Sequence, residues 1–97
     1  MPLTSKQRQY LRGLAHPLEP VVRVGRAGAS PSVIEETKRS LNAHELIKVR
    51  IENDDSAERK SIAAELATAC DAELAGTIGK LAILYRAREE DPEIELP

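Results

Sequence analysis

The residues best suited to chemistry form a short loop, Gly25 to Gly28, with the sequence GRAG after a run of valines. Glycine tolerates positive φ and, because it lacks a Cβ, lets the backbone come close to a ligand. Ser30 and Pro31 fit the N-cap and the first residue of a following helix. Such a helix start favours phosphate, and Arg26 adds a cation. The pattern predicts a loop that contacts phosphate, with an ordinary turn as the alternative.

A second GxxG pattern, Gly76 to Gly79, serves as a comparison. It holds no cation and leads into a strand-like segment, so no helix start supports anion binding there. We interpret it as a hairpin turn. With Lys80 it resembles the end of a P-loop, but the spacing is wrong and Leu81 replaces the hydroxyl residue that the motif requires. The pattern therefore argues against nucleotide hydrolysis.

Further cations lie on a predicted first helix and a predicted second strand. Arg8 and Arg12 are four residues apart and share a helix face, and Lys6 flanks them. Lys48 and Arg50 alternate with apolar residues and so share one strand face. Together with Arg26 these side chains could follow a phosphate backbone. The alternative is an ordinary solvated surface.

The sequence offers little for catalysis. His16 precedes a proline and His44 ends a predicted helix, and neither has a recognisable nucleophile or acid–base partner nearby. Cys70, the single cysteine, fits a small buried residue better than a nucleophile. It allows neither a disulfide nor a cysteine-based zinc site within the chain. We expect no enzyme activity, no metal and no cofactor.

Length and composition suggest one small domain from a reducing compartment. The 97 residues include no Trp or Phe and only two Tyr, so the core must be aliphatic. The basic, polar start does not resemble a secretory signal, and no apolar run is long enough for a membrane span. We therefore expect a cytoplasmic protein without a membrane partner.

Charge is divided along the chain. Residues 1–50 carry nine Lys or Arg and four Asp or Glu, whereas residues 51–97 carry five and twelve. A basic half can bind a polyanion even when the whole chain is slightly acidic. Five acids fall in Glu89–Pro97, which we expect to be a loose acidic tail. We hypothesise that this tail covers the basic face and weakens nonspecific binding.

Periodicity predicts the element order α-β-α-β-α-β-β and an α/β fold. Each β-α-β step favours a parallel pair of strands with a right-handed crossover, and the last two strands form an antiparallel hairpin near Gly79. The helices cover at least one face of the sheet, and Lys48 and Arg50 indicate that part of the other face is open to water. Ile62, Leu66 and Ala69 are expected to form the buried stripe of the third helix.

Three long segments, LRGLAHPLEPVVRVGRAGAS, HELIKVRI and IGKLAILYR, closely resemble the YhbY-like proteins, which consist of a single CRM domain. The resemblance implies a four-stranded mixed sheet with helices packed on it, like the C-terminal domain of translation initiation factor three. It also implies an RNA-binding protein that associates with precursors of the large ribosomal subunit. Glu19 and the acidic AREEDPE stretch depart from the basic character of the family.

On these grounds we expect one CRM domain over residues 1–88, followed by the acidic tail 89–97. We expect a monomer that binds ribosomal RNA and not DNA, and that reads backbone and shape because two tyrosines offer little base stacking. A protein-interaction adaptor whose basic helix docks an acidic partner is the main alternative, and a small enzyme acting on a phosphorylated metabolite is a weaker one. The expected RNA-contacting residues are Lys6, Arg8, Arg12, Gly25, Arg26, Ala27, Gly28, Ser30, Lys48 and Arg50.

Overall fold

The computed structural model describes residues 2–97 and has the predicted order of elements. The helices and strands are α1 (Ser5–Ala15), β1 (Pro20–Val24), α2 (Pro31–His44), β2 (Leu46–Ile51), α3 (Ser56–Ala69), β3 (Glu73–Ile78) and β4 (Leu81–Tyr85).

Each helix begins where a side chain can satisfy its free N–H groups. Thr4 caps α1 and forms a reciprocal capping box with Gln7. Ser30 caps α2 and Pro31 is its first residue, as predicted. Asp55 caps α3 by accepting hydrogen bonds from the backbone N–H groups of Ala57 and Glu58. The helix starts are therefore encoded locally, by side chains next to each terminus.

The four strands form one mixed sheet in the order β1-β2-β4-β3. β1 and β2 are parallel neighbours, as expected, whereas β4 is antiparallel to both β2 and β3. β2 and β3 also have the expected parallel direction, but they are not hydrogen-bonded neighbours, because β4 lies between them. β4 is apolar on both faces: Ala82 and Leu84 contact one core cluster, Ile83 and Tyr85 the other. Such a strand belongs in the interior of a sheet.

The larger core lies between the sheet and the pair α2 and α3. Val49 and Ile51 of β2, Leu41 of α2 and Leu66 of α3 are buried there. The predicted stripe of α3 is partly wrong, since Ala69 is exposed and the buried residues around Leu66 are Ala63 and Ala67.

The smaller core lies on the opposite face, where α1 covers one end of the sheet. Leu11 and Ala15 of α1 pack with Leu46, Ile83 and Tyr85 of the strands. The rest of this face is open. Its outermost row across the sheet consists of Arg23, Arg50, Leu81 and Ile78, and the last of these is 60% exposed.

The C-terminal tail is not loose. Ile94 and Leu96 pack against the smaller core. The buried carboxylate of Glu45 accepts hydrogen bonds from the backbone N–H groups of Arg88, Glu93 and Ile94 at 2.7–3.0 Å. Burial alone would raise the pKa of Glu45, but these three bonds and the charge of Arg88 outweigh it and lower the pKa below its usual value. The tail is held by a carboxylate that stays charged.

Candidate functional site

The GRAG loop is a tight turn at the end of β1. The Gly28 N–H donates to the Gly25 carbonyl at 3.1 Å, and the Ser30 N–H donates to the Gly28 carbonyl at 2.8 Å. Gly28 has φ 65°, in the left-handed region that side chains disfavour. Glycine at position 28 is therefore required by the turn itself.

Some backbone N–H groups of this loop are bonded within the turn and others are free. The N–H groups of Gly28 and Ser30 are used inside the turn, so these two donors are not free for a ligand. In the part of the chain that the structure describes, the N–H groups of Arg26, Ala27 and Ala29 have no acceptor. These three donors remain available to an anion, and α2 begins directly after them.

Gly25 differs from Gly28. It is exposed, does not have positive φ, and a Cβ at this position would meet no atom within 4 Å. No steric reason within the fold therefore requires glycine here. The missing side chain leaves the loop backbone accessible from solvent, which suits close approach by a ligand.

Arg26 projects from the tip of the turn. It is exposed, and within residues 2–97 its side chain forms no hydrogen bond or ion pair. Long-chain cations without a protein partner are free to pair with a phosphate, because no internal bond has to break first. Among the described residues, the loop thus combines an unpaired guanidinium with three unpaired N–H donors.

Lys48 and Arg50 lie on the face of the sheet that also carries α1. Lys48 Nζ donates to the carbonyl of His16, just after α1, at 3.0 Å. Arg50 lies two residues further along β2, beyond the end of α1 and nearer the GRAG loop. The structure therefore joins the strand cations and α1 on one side of the molecule, with Lys48 partly committed to holding the end of the helix.

Arg50 is paired with Glu52, and the sequence did not indicate this. Arg50 Nε donates to Glu52 Oε1, and Arg23 Nη1 lies 3.6 Å from the same oxygen. The hydrogen bond from Arg50 lowers the pKa of Glu52, with smaller contributions from neighbouring positive charges. Arg23 belongs to the same surface, and its side chain is 74% exposed. The sequence could have identified Arg23 through the alternation in PVVRVG, which places its side chain on the opposite face of the strand from Val22 and Val24.

The α1 cations occupy different sides of the helix. Arg12 lies over β3, where its Nη1 donates to the Ala75 carbonyl at 3.2 Å and its stem covers Gly76. Arg8 is one turn before Arg12 and shares its side. Lys6 is two residues before Arg8, about 200° around the helix, so it does not flank the pair as expected.

The tail is anchored at the opposite end of the sheet from the GRAG loop. Glu45 and Leu46 lie at the start of β2, whereas the loop is beside Ile51 at its end. Five residues of extended chain span roughly 16 Å. The hypothesis that the tail covers the basic face is therefore wrong at the loop. The end of the tail does contact α1, where Gln7 Nε2 donates to the Pro97 carbonyl at 3.2 Å.

The described residues give no sign of a metal site, a reactive cysteine or a membrane-spanning helix. They hold no group of three or more His, Cys, Asp or Glu side chains arranged for a metal ion. Cys70 is fully buried, as expected, and burial raises the pKa of its thiol. None of the helices in residues 2–97 has the length and apolar character needed to cross a bilayer.

Comparison with known proteins shows the family. The CRS1/YhbY (CRM) domain model matches residues 3–86. The chain is 41% identical over 95 residues to a Haemophilus influenzae protein named "RNA-binding protein", covering 98% of this chain and 95% of that one. It is 36% identical over 95 residues to "Probable RNA-binding protein YqeI" of Bacillus subtilis, covering 98% and 99%.

The fold agrees with the same assignment. The solution structure of the hypothetical protein SAV1595 from Staphylococcus aureus superposes with a TM-score of 0.88 at 38% identity, covering 98% of this chain and 99% of that one. Three helices and a four-stranded mixed sheet form an α/β fold, and this fold defines the structural class. The chain belongs to the CRS1/YhbY (CRM) domain family.

Proposed function

We propose that this protein binds RNA, with the GRAG loop contacting one or two phosphates. The observation that carries the proposal is the loop itself: within residues 2–97, three of its N–H donors have no acceptor and the exposed Arg26 has no partner. Two relatives that align over nearly the whole chain are named "RNA-binding protein" and "Probable RNA-binding protein YqeI", and these names support RNA as the ligand.

The contact extends from the loop onto the open sheet face. Arg23 and Arg50 are neighbours across β1 and β2. Arg8 and Arg12 continue the surface along α1. Since Arg12 and Lys48 also donate to carbonyls of the fold and Arg50 is paired with Glu52, we assign all three a smaller share of the binding than Arg26. Recognition of this kind reads the phosphate backbone more than the bases.

The RNA we propose is that of large ribosomal subunit precursors, the partner that the family resemblance implies. The role is that of a binding protein and not of a catalyst. The described residues near the loop supply cations and N–H donors. The carboxylate of Glu52 also lies near the loop, but it is a weak base because its hydrogen bond with Arg50 lowers its pKa. Co-sedimentation of the tagged protein with large-subunit precursors in a gradient of cell extract tests the ribosomal part separately.

RNA affinity measured against salt concentration tests the loop. Each lost phosphate contact on a single strand should reduce the slope of log K against log salt by about 0.7. Arg26→Gln should flatten the slope by that amount. Arg39→Gln is the matched control, because Arg39 is exposed, lacks a partner among the described residues and lies eight residues along α2 from Pro31. A wild type with little binding at low salt would refute the proposal.

One observation favours the adaptor as a second candidate. Leu14, Leu18 and Val21 are each about 40% exposed and line a groove of about 450 Å³ between α1 and β1. An exposed apolar patch of this kind is typical of protein-binding surfaces. Absence of salt-dependent RNA binding, together with an intact fold, would make this groove the main functional surface.

A further inference from the structure

A second cationic pocket lies at the same end of the sheet as the GRAG loop. It has a volume of about 260 Å³ and is enclosed between the start of α3 and the turn that joins β3 to β4. Its polar lining consists of three cations and two hydroxyl residues, and no carboxylate lines it. These residues are Arg59, Lys60, Lys80, Ser56 and Thr77.

The three cations differ in how strongly they are bonded to the rest of the fold. Arg59 is committed to the fold, since its Nε donates to the Gly79 carbonyl at 3.0 Å and its Nη1 to the Asn53 carbonyl at 2.8 Å. Lys80 pairs with Asp54 at 3.1 Å, but the Asp54 side chain is 99% exposed. Such an ion pair is weak and easily exchanged. Lys60 is exposed and has no side-chain partner among the described residues.

Two backbone hydrogen bonds place this pocket close to the GRAG loop. The Glu52 N–H donates to the backbone carbonyl of Val24, directly before the loop, at 2.9 Å. The Ile51 N–H donates to the backbone carbonyl of Lys80 at 2.7 Å. The end of β1 and the start of β4 therefore lie on either side of β2, roughly 10 Å apart across two strand spacings. One strand of nucleic acid can reach both.

We propose that the pocket binds a second phosphate of the RNA strand whose first phosphate contacts the GRAG loop. This inference rests on the proposed function and adds a site to it. Lys60 and Lys80 neutralise the phosphate, and the hydroxyl groups of Ser56 and Thr77 donate to its oxygens. Ammonium groups suit this role as compact point charges that do not need bidentate geometry.

The test compares Lys60→Gln and Lys80→Gln with Lys38→Gln, which removes the same charge from α2 outside the pocket. RNA binding to a short single-stranded oligonucleotide is measured against salt, with Arg26→Gln in parallel. Each pocket variant should lower the slope by about 0.7 and weaken binding roughly threefold in moderate salt. Lys38→Gln should change neither. Thermal unfolding of each variant verifies that the fold is intact.

The possible failures can be told apart. If both pocket variants behave like Lys38→Gln while Arg26→Gln weakens binding, the second site is wrong and the proposed function stands. If the wild type itself shows no salt-dependent binding, the proposed function is wrong and the pocket proposal falls with it. If inorganic phosphate stabilises the wild type but not Lys60→Gln, with unchanged RNA slopes, the pocket is a free-anion site and its role in RNA binding is overturned.

Discussion

The stem of Arg12 lies directly on Gly76: a methyl group at position 76 would be 2.8 Å from Arg12 Cδ. The same arginine donates from Nη1 to the Ala75 carbonyl at 3.2 Å. This contact joins α1 to the edge strand β3, next to a bulge in its pairing with β4. Glycine at position 76 therefore has a role in helix–sheet packing, although its GxxG pattern suggested only a turn.

Gly76→Ala should destabilise the fold by about 1–3 kcal/mol, because the arginine stem has to move and overpacking is costly. In an Arg12→Ala background the same change should become neutral or stabilising, since alanine is favoured over glycine in a strand. Urea denaturation of the wild type, Gly76→Ala, Arg12→Ala and the double variant gives the coupling energy between the two positions, which we expect to be about 1 kcal/mol. Gly13→Ala is the control: it meets no atom within 4 Å and should stabilise α1. Additive effects would show that the packing contact is unimportant.

The two glycines that bound the GRAG loop should respond differently to alanine. Gly28→Ala places a side chain at φ 65° and should cost about 1–2 kcal/mol of stability. Gly25→Ala has free space and should leave the unfolding free energy nearly unchanged, yet weaken RNA binding because its methyl group stands where the strand approaches. Parallel denaturation and RNA titrations separate the two effects. Unchanged RNA affinity in Gly25→Ala would place the strand away from this backbone.

Glu52 should restrain RNA binding, because it neutralises the arginines on either side of it. Glu52→Gln removes one negative charge and frees Arg50 and Arg23 for phosphate. We expect tighter RNA binding and a slope steeper by about 0.7. Glu65→Gln on α3 removes the same charge at an exposed position and should have a smaller effect. Equal effects of the two variants would mean that only net charge matters.

The contact between Glu45 and the tail should make stability depend on pH. The pKa of Glu45 is lowered in the folded protein, so its stabilisation is complete above the ordinary value of 4.5 and is lost as pH falls through the folded pKa. Glu45→Gln should cost about 1.5–3 kcal/mol at neutral pH, because three hydrogen bonds to a charged group are weakened. Below the folded pKa the two proteins should converge.

Urea denaturation at several values between about pH 3 and 7 measures this difference. Glu93→Gln provides the control, since Glu93 is exposed and its side chain pairs only with Arg88 among the described residues. The difference in unfolding free energy between wild type and Glu45→Gln should disappear in acid. The corresponding difference for Glu93→Gln should stay small at every pH. A Glu45→Gln gap that is equal at both ends of the range would contradict the proposed anchor.

Local signals in the sequence determined the elements and part of the site. Ser30 and Pro31 fixed the start of α2, and the alternation around Lys48 and Arg50 placed both cations on one face. These features depend on neighbours within a few residues, so a linear sequence displays them directly. The family followed from longer segments of the same sequence.

Only the tertiary structure decided how the distant parts meet. It placed β4 between β2 and β3, bonded Glu45 to tail residues 43–49 positions away, and set Arg12 on Gly76. It also brought Lys60 and Lys80 together at the end of the sheet that carries the GRAG loop. Partners so far apart in the chain leave no periodic pattern, because their contact depends on strand order and packing of the whole sheet and not on local conformational preference.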